Sequence, residues 1–192
     1  MLRDLTDKYQ VILASSSPRR KELLNEIIPI FKVESKEVEE IYPSHLQGGE
    51  IATYLSQLKS KPFQPNEKEL IITADTIVIL DSLILGKPKS PEEAINMLTL
   101  LSGKKHEVIT GVTIRTKDKE LSFYDATKVE FYELKPNEIE YYVNSYKPFD
   151  KAGAYGIQEW IGSVGIKKME GDFYNVMGLP IHRVYRELNQ FI

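Results

Sequence analysis

The 192-residue chain contains no cysteine, which excludes disulfides, thiolate metal sites and cysteine nucleophiles. That absence fits a reducing compartment without demonstrating one. Its three histidines, His45, His106 and His182, are scattered, so neither a zinc centre nor a Ser-His-Asp arrangement is expected. There is no surplus of positive charge either: 25 Lys and Arg against 28 Asp and Glu give a formal net charge of −3. Broad binding to a nucleic acid polymer is therefore not expected, and an anionic ligand must be held by a few placed groups. No apolar run approaches the roughly 20 residues that span a bilayer. The segment from Met1 to Gln10 is polar and charged, unlike a signal peptide, so no membrane partner and a cytoplasmic location are expected. The glycines form neither a Walker A nor a G-x-G-x-x-G pattern.

What is present reads as an ordinary globular chain, 42% hydrophobic and 28% charged. Gln10–Ala14 reads as a short buried strand. A helix follows, with Ser17 as N-cap, Pro18 at the first helical position, and an apolar face of Leu23, Leu24, Ile27 and Ile28 before Pro29. Phe31–Ser35 reads as a second strand. Ile51, Tyr54, Leu55 and Leu58 recur at helical spacing after Gly48-Gly49. Leu70–Leu80, the most apolar run, predicts a central strand turning at Asp81-Ser82 into Leu83–Leu85. Ser90-Pro91-Glu92-Glu93 and Gly103 bracket a further helix. Glu107–Arg115 and Leu121–Phe131 predict a hairpin. Pro136 opens a helix through Tyr142, Lys147–Gly165 reads as a Gly-rich loop, Ile166–Met169 as a short strand, and the last helix starts near Pro180. These elements predict an α/β fold with a mixed sheet flanked by helices, and residues 1–192 suffice for one sizeable domain or two small lobes sharing a core.

Four sets of residues call for a chemical reason. Arg19 and Arg20 place two cations in the first turn of a helix, against its macrodipole. An anion docked there would explain them, gripped by free N–H groups, the hydroxyls of Ser15 and Ser17, and guanidinium groups; pairing with nearby carboxylates is the plainer alternative. Asp75 lies among residues that all argue for burial, and a buried carboxylate must be paired, hydrogen-bonded or metal-bound. It could ligate a divalent cation or act as a base on water, or be satisfied by backbone N–H groups at a strand end. The acidic run Glu34, Glu37, Glu39 and Glu40 offers oxygen ligands for Mg²⁺, although most such runs are solvated faces. Lys59, Lys87 and Lys151 could meet phosphates, or be ordinary surface lysines, with Lys87 held by the Gly86-Lys87-Pro88 turn. The loop from Asp150 to Gln158 has small residues permitting close approach by a ligand, and the Gln158 amide could read a base edge.

The motifs extend beyond these residues. L-A-S-S-S-P-R-R-K-E-L-L from Leu13, A-D-T from Ala74, G-K-P from Gly86 and L-S-G from Leu101 are followed by H-E-V-I-T-G from His106, D-K-A-G-A-Y-G-I-Q from Asp150 and V-M-G-L-P-I from Val176. In this order they resemble the signature blocks of the Maf family of nucleoside triphosphate pyrophosphatases and cover nearly the whole chain. The resemblance implies hydrolysis of the α–β phosphoanhydride to a nucleoside monophosphate and pyrophosphate. It also implies a divalent cation (Mg²⁺ or Mn²⁺), an elongated two-lobed fold with a cleft, related to inosine triphosphatases, and a homodimer. The family's proton-accepting Asp falls on Asp75, and its other polar site positions on Glu40, Lys59 and Lys87, with Glu40 and Asp75 as metal ligands. Three discriminating positions that hold Arg, Thr and Gln in the branch acting on dTTP and UTP match Arg19, Thr76 and Gln158. Modified pyrimidine nucleotides are further candidate substrates. Ser16, Glu159 and Trp160 depart from the family pattern beside the motifs.

The expected mechanism has Ser15, Ser17, Arg19 and Arg20 holding phosphates, Asp75 orienting or deprotonating water, and Lys59 and Lys87 offsetting developing charge. Lys151 joins the expected substrate contacts. Two rival readings are an enzyme acting on the γ-phosphate and an interaction protein linked to septum formation or cell-division arrest.

Overall fold

A computed structural model describes residues 2–192. The chain opens with α1 (Arg3–Lys8), β1 (Gln10–Ala14), α2 (Pro18–Asn25) and β2 (Lys32–Glu34). It continues through α3 (Gly49–Ser60), β3 (Glu69–Leu80), β4 (Leu83–Leu85) and α4 (Pro91–Leu101). Then come β5 (Lys105–Arg115), β6 (Glu120–Phe131), α5 (Pro136–Tyr146), α6 (Trp160–Gly165), β7 (Ile166–Glu170), α7 (Phe173–Met177) and α8 (Ile181–Leu188). The strands form one sheet in the order β2-β1-β3-β5-β6-β7, with β4 also paired to β3. β1 runs parallel to β2 and β3, whereas β4 on β3 and β7 on β6 are antiparallel. The expected mixed α/β class is what the backbone adopts.

Two units divide the chain. The first comprises Met1–Asp75, Thr110–Asp125 and Gly178–Ile192; the second, Thr76–Ile109 and Ala126–Met177. In the first, β1 and β3 bury near-continuous apolar runs, as parallel strands covered on both faces do. Helix α3 sits directly on β5 because Gly111 has no side chain: a Cβ there would overlap the Ala52 carbonyl. Ser56 of α3 then reaches Thr113 of β5 at 2.8 Å, and Thr73 of β3 donates to the Ser56 carbonyl at 2.7 Å.

In the second unit the core gathers Val78, Leu98, Leu101, Val129, Phe131, Tyr142 and Tyr155, among others. Ser90 caps α4 by accepting from Glu93 N at 3.2 Å. The Glu93 carboxylate accepts from Lys89 N at 2.7 Å, one residue before the cap, so the capping box is offset rather than reciprocal. Gly103, just past the helix, has φ +69°, which its lack of a Cβ permits.

Several sequence expectations need correction. Lys147–Gly165 is not one loop: a 3₁₀ turn forms at Ala152–Ala154 and α6 at Trp160–Gly165. Two glycines and no side-chain cap hid α6 from pattern reading. Helix α5 runs four residues past Tyr142, to Tyr146. Helix α2 stops at Asn25, and Ile28 is carried into the core by a turn. Helices α1 and α7 were not foreseen. The α7 signal was readable, since Asp172 caps it by accepting from Tyr174 N at 3.2 Å and Asn175 N at 2.9 Å.

Candidate active site

The first unit brings seven of the expected residues, Ser15, Ser17, Arg19, Arg20, Glu40, Lys59 and Asp75, into one hydrogen-bonded and charged neighbourhood. β1 delivers Ser15 at its C-terminal end, and Ser17 starts α2. The Ser17 hydroxyl accepts from Arg20 N at 3.4 Å, and Ser15 Oγ accepts from Ser17 N at 3.2 Å. This is an N-cap with a second hydroxyl behind it, the arrangement that turns a helix start toward anions.

Arg20 folds back across this turn. Its Nε donates to the Gly178 carbonyl at 2.8 Å and its Nη1 to Ser15 Oγ at 3.4 Å. Desolvation pulls its pKa below the ordinary arginine value; Asp75 and Glu40 oppose that shift, and Arg19 adds to it. It still carries its charge at neutral pH. The link joins the block at Leu13 to the block at Val176, and sequence reading missed Gly178 because a carbonyl partner leaves no residue-type signal. Arg19, beside it, is half-buried.

Asp75 and Lys59 meet for a reason visible in the periods of their elements. Strand residues two apart share a face, and helix residues three apart share a side. Thr73 and Asp75 of β3 therefore match Ser56 and Lys59 of α3: Thr73 bonds Ser56, and Asp75 accepts from Lys59 Nζ. The same ammonium pairs with Glu40 Oε1 at 2.9 Å. The Asp75 side chain is 7% exposed, Lys59 17% and Glu40 44%. The buried carboxylate thus has the charge partner that burial demands, and a second, accessible carboxylate stands at the same ammonium. Glu34, Glu37 and Glu39 are exposed, as a solvated run would be.

The remaining expected residues belong to the second unit. Thr76 is half-buried; Lys87 and Gln158 are exposed. Lys151 is 8% exposed and engaged with Asp150 at 2.8 Å and Glu159 at 3.1 Å. The Gly86 carbonyl, next to Lys87, accepts from Gly153 N at 3.0 Å, tying the G-K-P block to the D-K-A-G block. Sequence reading missed two partners of this loop, Tyr142 and Glu159. Only the departure of Glu159 from the family pattern pointed to the second.

Two hydroxyls and a guanidinium at a helix start, beside a Lys-bridged pair of carboxylates, can together bind phosphate oxygens and activate water. That chemistry belongs to phosphate-handling hydrolases. The sequence pattern of the Maf-like protein family matches residues 10–191, and the chain belongs to that family. Among curated relatives, a dTTP/UTP pyrophosphatase of Bacteroides thetaiotaomicron is 52% identical, over 96% of this chain and 97% of its own. One from Cytophaga hutchinsonii is 54% identical, over 94% of this chain and 83% of its own. Among solved structures, a Staphylococcus aureus Ham1 protein is 17% identical, over 64% of this chain and 71% of its own, with a TM-score of 0.43.

Proposed function

We propose that the chain hydrolyses nucleoside triphosphates between the α and β phosphates, releasing a nucleoside monophosphate and pyrophosphate, with dTTP and UTP as substrates. The observation that carries this reading is Lys59 bridging Asp75 and Glu40. The relatives named dTTP/UTP pyrophosphatase support the substrate class. In this account Asp75 accepts the proton of the attacking water. Lys59 fixes the Asp75 carboxylate and lies where negative charge accumulates in the transition state. Ser15, Ser17, Arg19 and Arg20 bind phosphate oxygens, and Lys87 adds a point charge. Thr76 and Gln158 discriminate the nucleotide, together with Arg19.

Asp75 and Glu40 form a donor set suited to a hard divalent cation, being carboxylates converging on one ammonium. These two residues would hold Mg²⁺ or Mn²⁺, which when bound would neutralise phosphate charge. Lys59 would then keep Asp75 oriented toward water. The family resemblance supports a homodimer of one working domain, and we propose that it acts in the cytoplasm. Among the described residues no helix is long and apolar enough to cross a membrane.

The test is product analysis over dTTP, UTP, CTP, GTP, ATP and modified pyrimidine triphosphates, each with Mg²⁺ and Mn²⁺. Equal yields of monophosphate and pyrophosphate, with dTTP and UTP preferred, are expected. Orthophosphate as the first product would overturn the reading.

A further inference from the structure

Gln158 is exposed, so its own packing does not fix how its amide is presented. The residues around it do. Tyr142, fully buried on α5, has both hydroxyl functions occupied: it accepts from Gly156 N at 3.0 Å and donates to Glu159 Oε2. The other Glu159 oxygen takes Lys151 Nζ at 3.1 Å, and Lys151 reaches Asp150 at 2.8 Å. Gly156 is enclosed by this cluster: a Cβ there would lie 2.8 Å from Glu159 Cδ and 3.0 Å from Lys151 Cε. Desolvation and Glu159 push the Tyr142 pKa up, keeping the phenol a donor. Hydrogen bonds from a phenol and an ammonium to one carboxylate are charge-assisted and short on freedom. They span Lys151 to Glu159, the segment that contains Gln158.

We propose that Tyr142 and Glu159 are positioning residues for Gln158, and that Lys151 completes their pin instead of contacting phosphate. The pin sets the backbone from which the Gln158 amide meets the edge of a pyrimidine base. Uracil and thymine offer there an acceptor beside an N–H donor, which one amide can match with its donor and acceptor together. The inference rests on the reading of Gln158 as a base contact.

The experiment is steady-state kinetics of wild type, Gln158→Ala, Tyr142→Phe, Glu159→Gln and Glu159→Asp with dTTP, UTP and CTP. Tyr142→Phe keeps the ring, and Glu159→Gln removes only the charge, so Glu159→Gln carries the test should Tyr142→Phe fail to fold. Each is expected to raise the KM for dTTP about fivefold to tenfold while kcat stays within about twofold, the loss typical of one hydrogen bond. The dTTP preference over CTP should fall with it, as in Gln158→Ala. Glu159→Asp should restore part of the preference, and the Tyr142→Phe/Glu159→Gln double variant should be little worse than either single one. If Gln158→Ala loses the preference while Tyr142→Phe and Glu159→Gln keep it and only melt earlier, the inference is overturned alone. If the wild type releases no pyrophosphate, the proposed function falls and this inference with it.

Discussion

Lys59 on α3 donates to Asp75 on β3 and pairs with Glu40 at 2.9 Å, so one ammonium joins a buried carboxylate to an exposed one. The contact depends on α3 being seated by Gly111 and by the Ser56 contacts to Thr73 and Thr113. A change in any of these positions should therefore be felt at Asp75.

Removing the ammonium leaves Asp75 buried without its hydrogen-bonded cation, with the Coulombic pull of Arg20 left to offset it. Lys59→Met is expected to cost about 3 kcal/mol of stability, the loss typical when one partner of a buried pair is deleted. It should also abolish most pyrophosphate release. Lys59→Met/Asp75→Asn should regain most of the stability in urea denaturation and none of the activity. Stability unchanged in the single variant would contradict the pairing argument.

Gly111→Ala places a methyl against the Ala52 carbonyl, so α3 must shift. The expected loss is about 1–3 kcal/mol, as for overpacking elsewhere, accompanied by a fall in kcat. Gly86→Ala is the control, because an added Cβ there meets nothing within 4 Å. Its stability should stay within about 0.5 kcal/mol of wild type. Equal stability of the two variants would count against α3 resting on β5 at this point.

Arg20→Lys keeps the charge but loses the fork that reaches Gly178 and Ser15 together. A drop in kcat/KM of about tenfold is expected, with lower thermal stability, since the link between α2 and Gly178 is gone. Calorimetry and kinetics on the same preparation check it. Wild-type behaviour would show that the contact organises nothing.

His106 gives a pH dependence with a definite sign. Desolvation lowers its pKa from 6.5 to about 4, and its Nε2 lies 2.8 Å from the Tyr155 hydroxyl in the core. The unfolded chain therefore binds the proton more tightly than the folded one. Stability from this group is complete above pH 6.5 and is lost as the pH falls from 6.5 through about 4. The total is about 3 kcal/mol, from 1.36 kcal/mol per unit. Urea midpoints at pH 7 and pH 5 should show about 2 kcal/mol of it, and His106→Phe should flatten the difference. A wild-type midpoint that rises toward pH 5 would contradict the sign.

How much of this was legible in the sequence follows from the kind of signal each residue carries. Ser17-Pro18 and Ser90-Pro91 announced two helices through cap chemistry, and both start there. The run at Leu70–Leu80 announced a central strand, and the cost of burying Asp75 announced a partner without naming it. Naming Lys59 required the register of β3 against α3, which no local pattern encodes. Gly178 was invisible as a partner because any residue offers a carbonyl. Helix α6 was invisible because its glycines lower helix propensity, and Gly162 tolerates no side chain against Ile157. Tyr142 read only as the last turn of a helix; the loop that folds onto its hydroxyl returns 14 residues later, beyond any local pattern.

Asp75→Asn tests the central claim most directly. The substitution preserves shape and removes the proton acceptor, so urea stability should show a folded protein. Pyrophosphate release from dTTP should fall about 10²–10⁴-fold, the range for a positioned base. Near-wild-type release of pyrophosphate and monophosphate by the folded Asp75→Asn protein would contradict the assignment of Asp75 as the base.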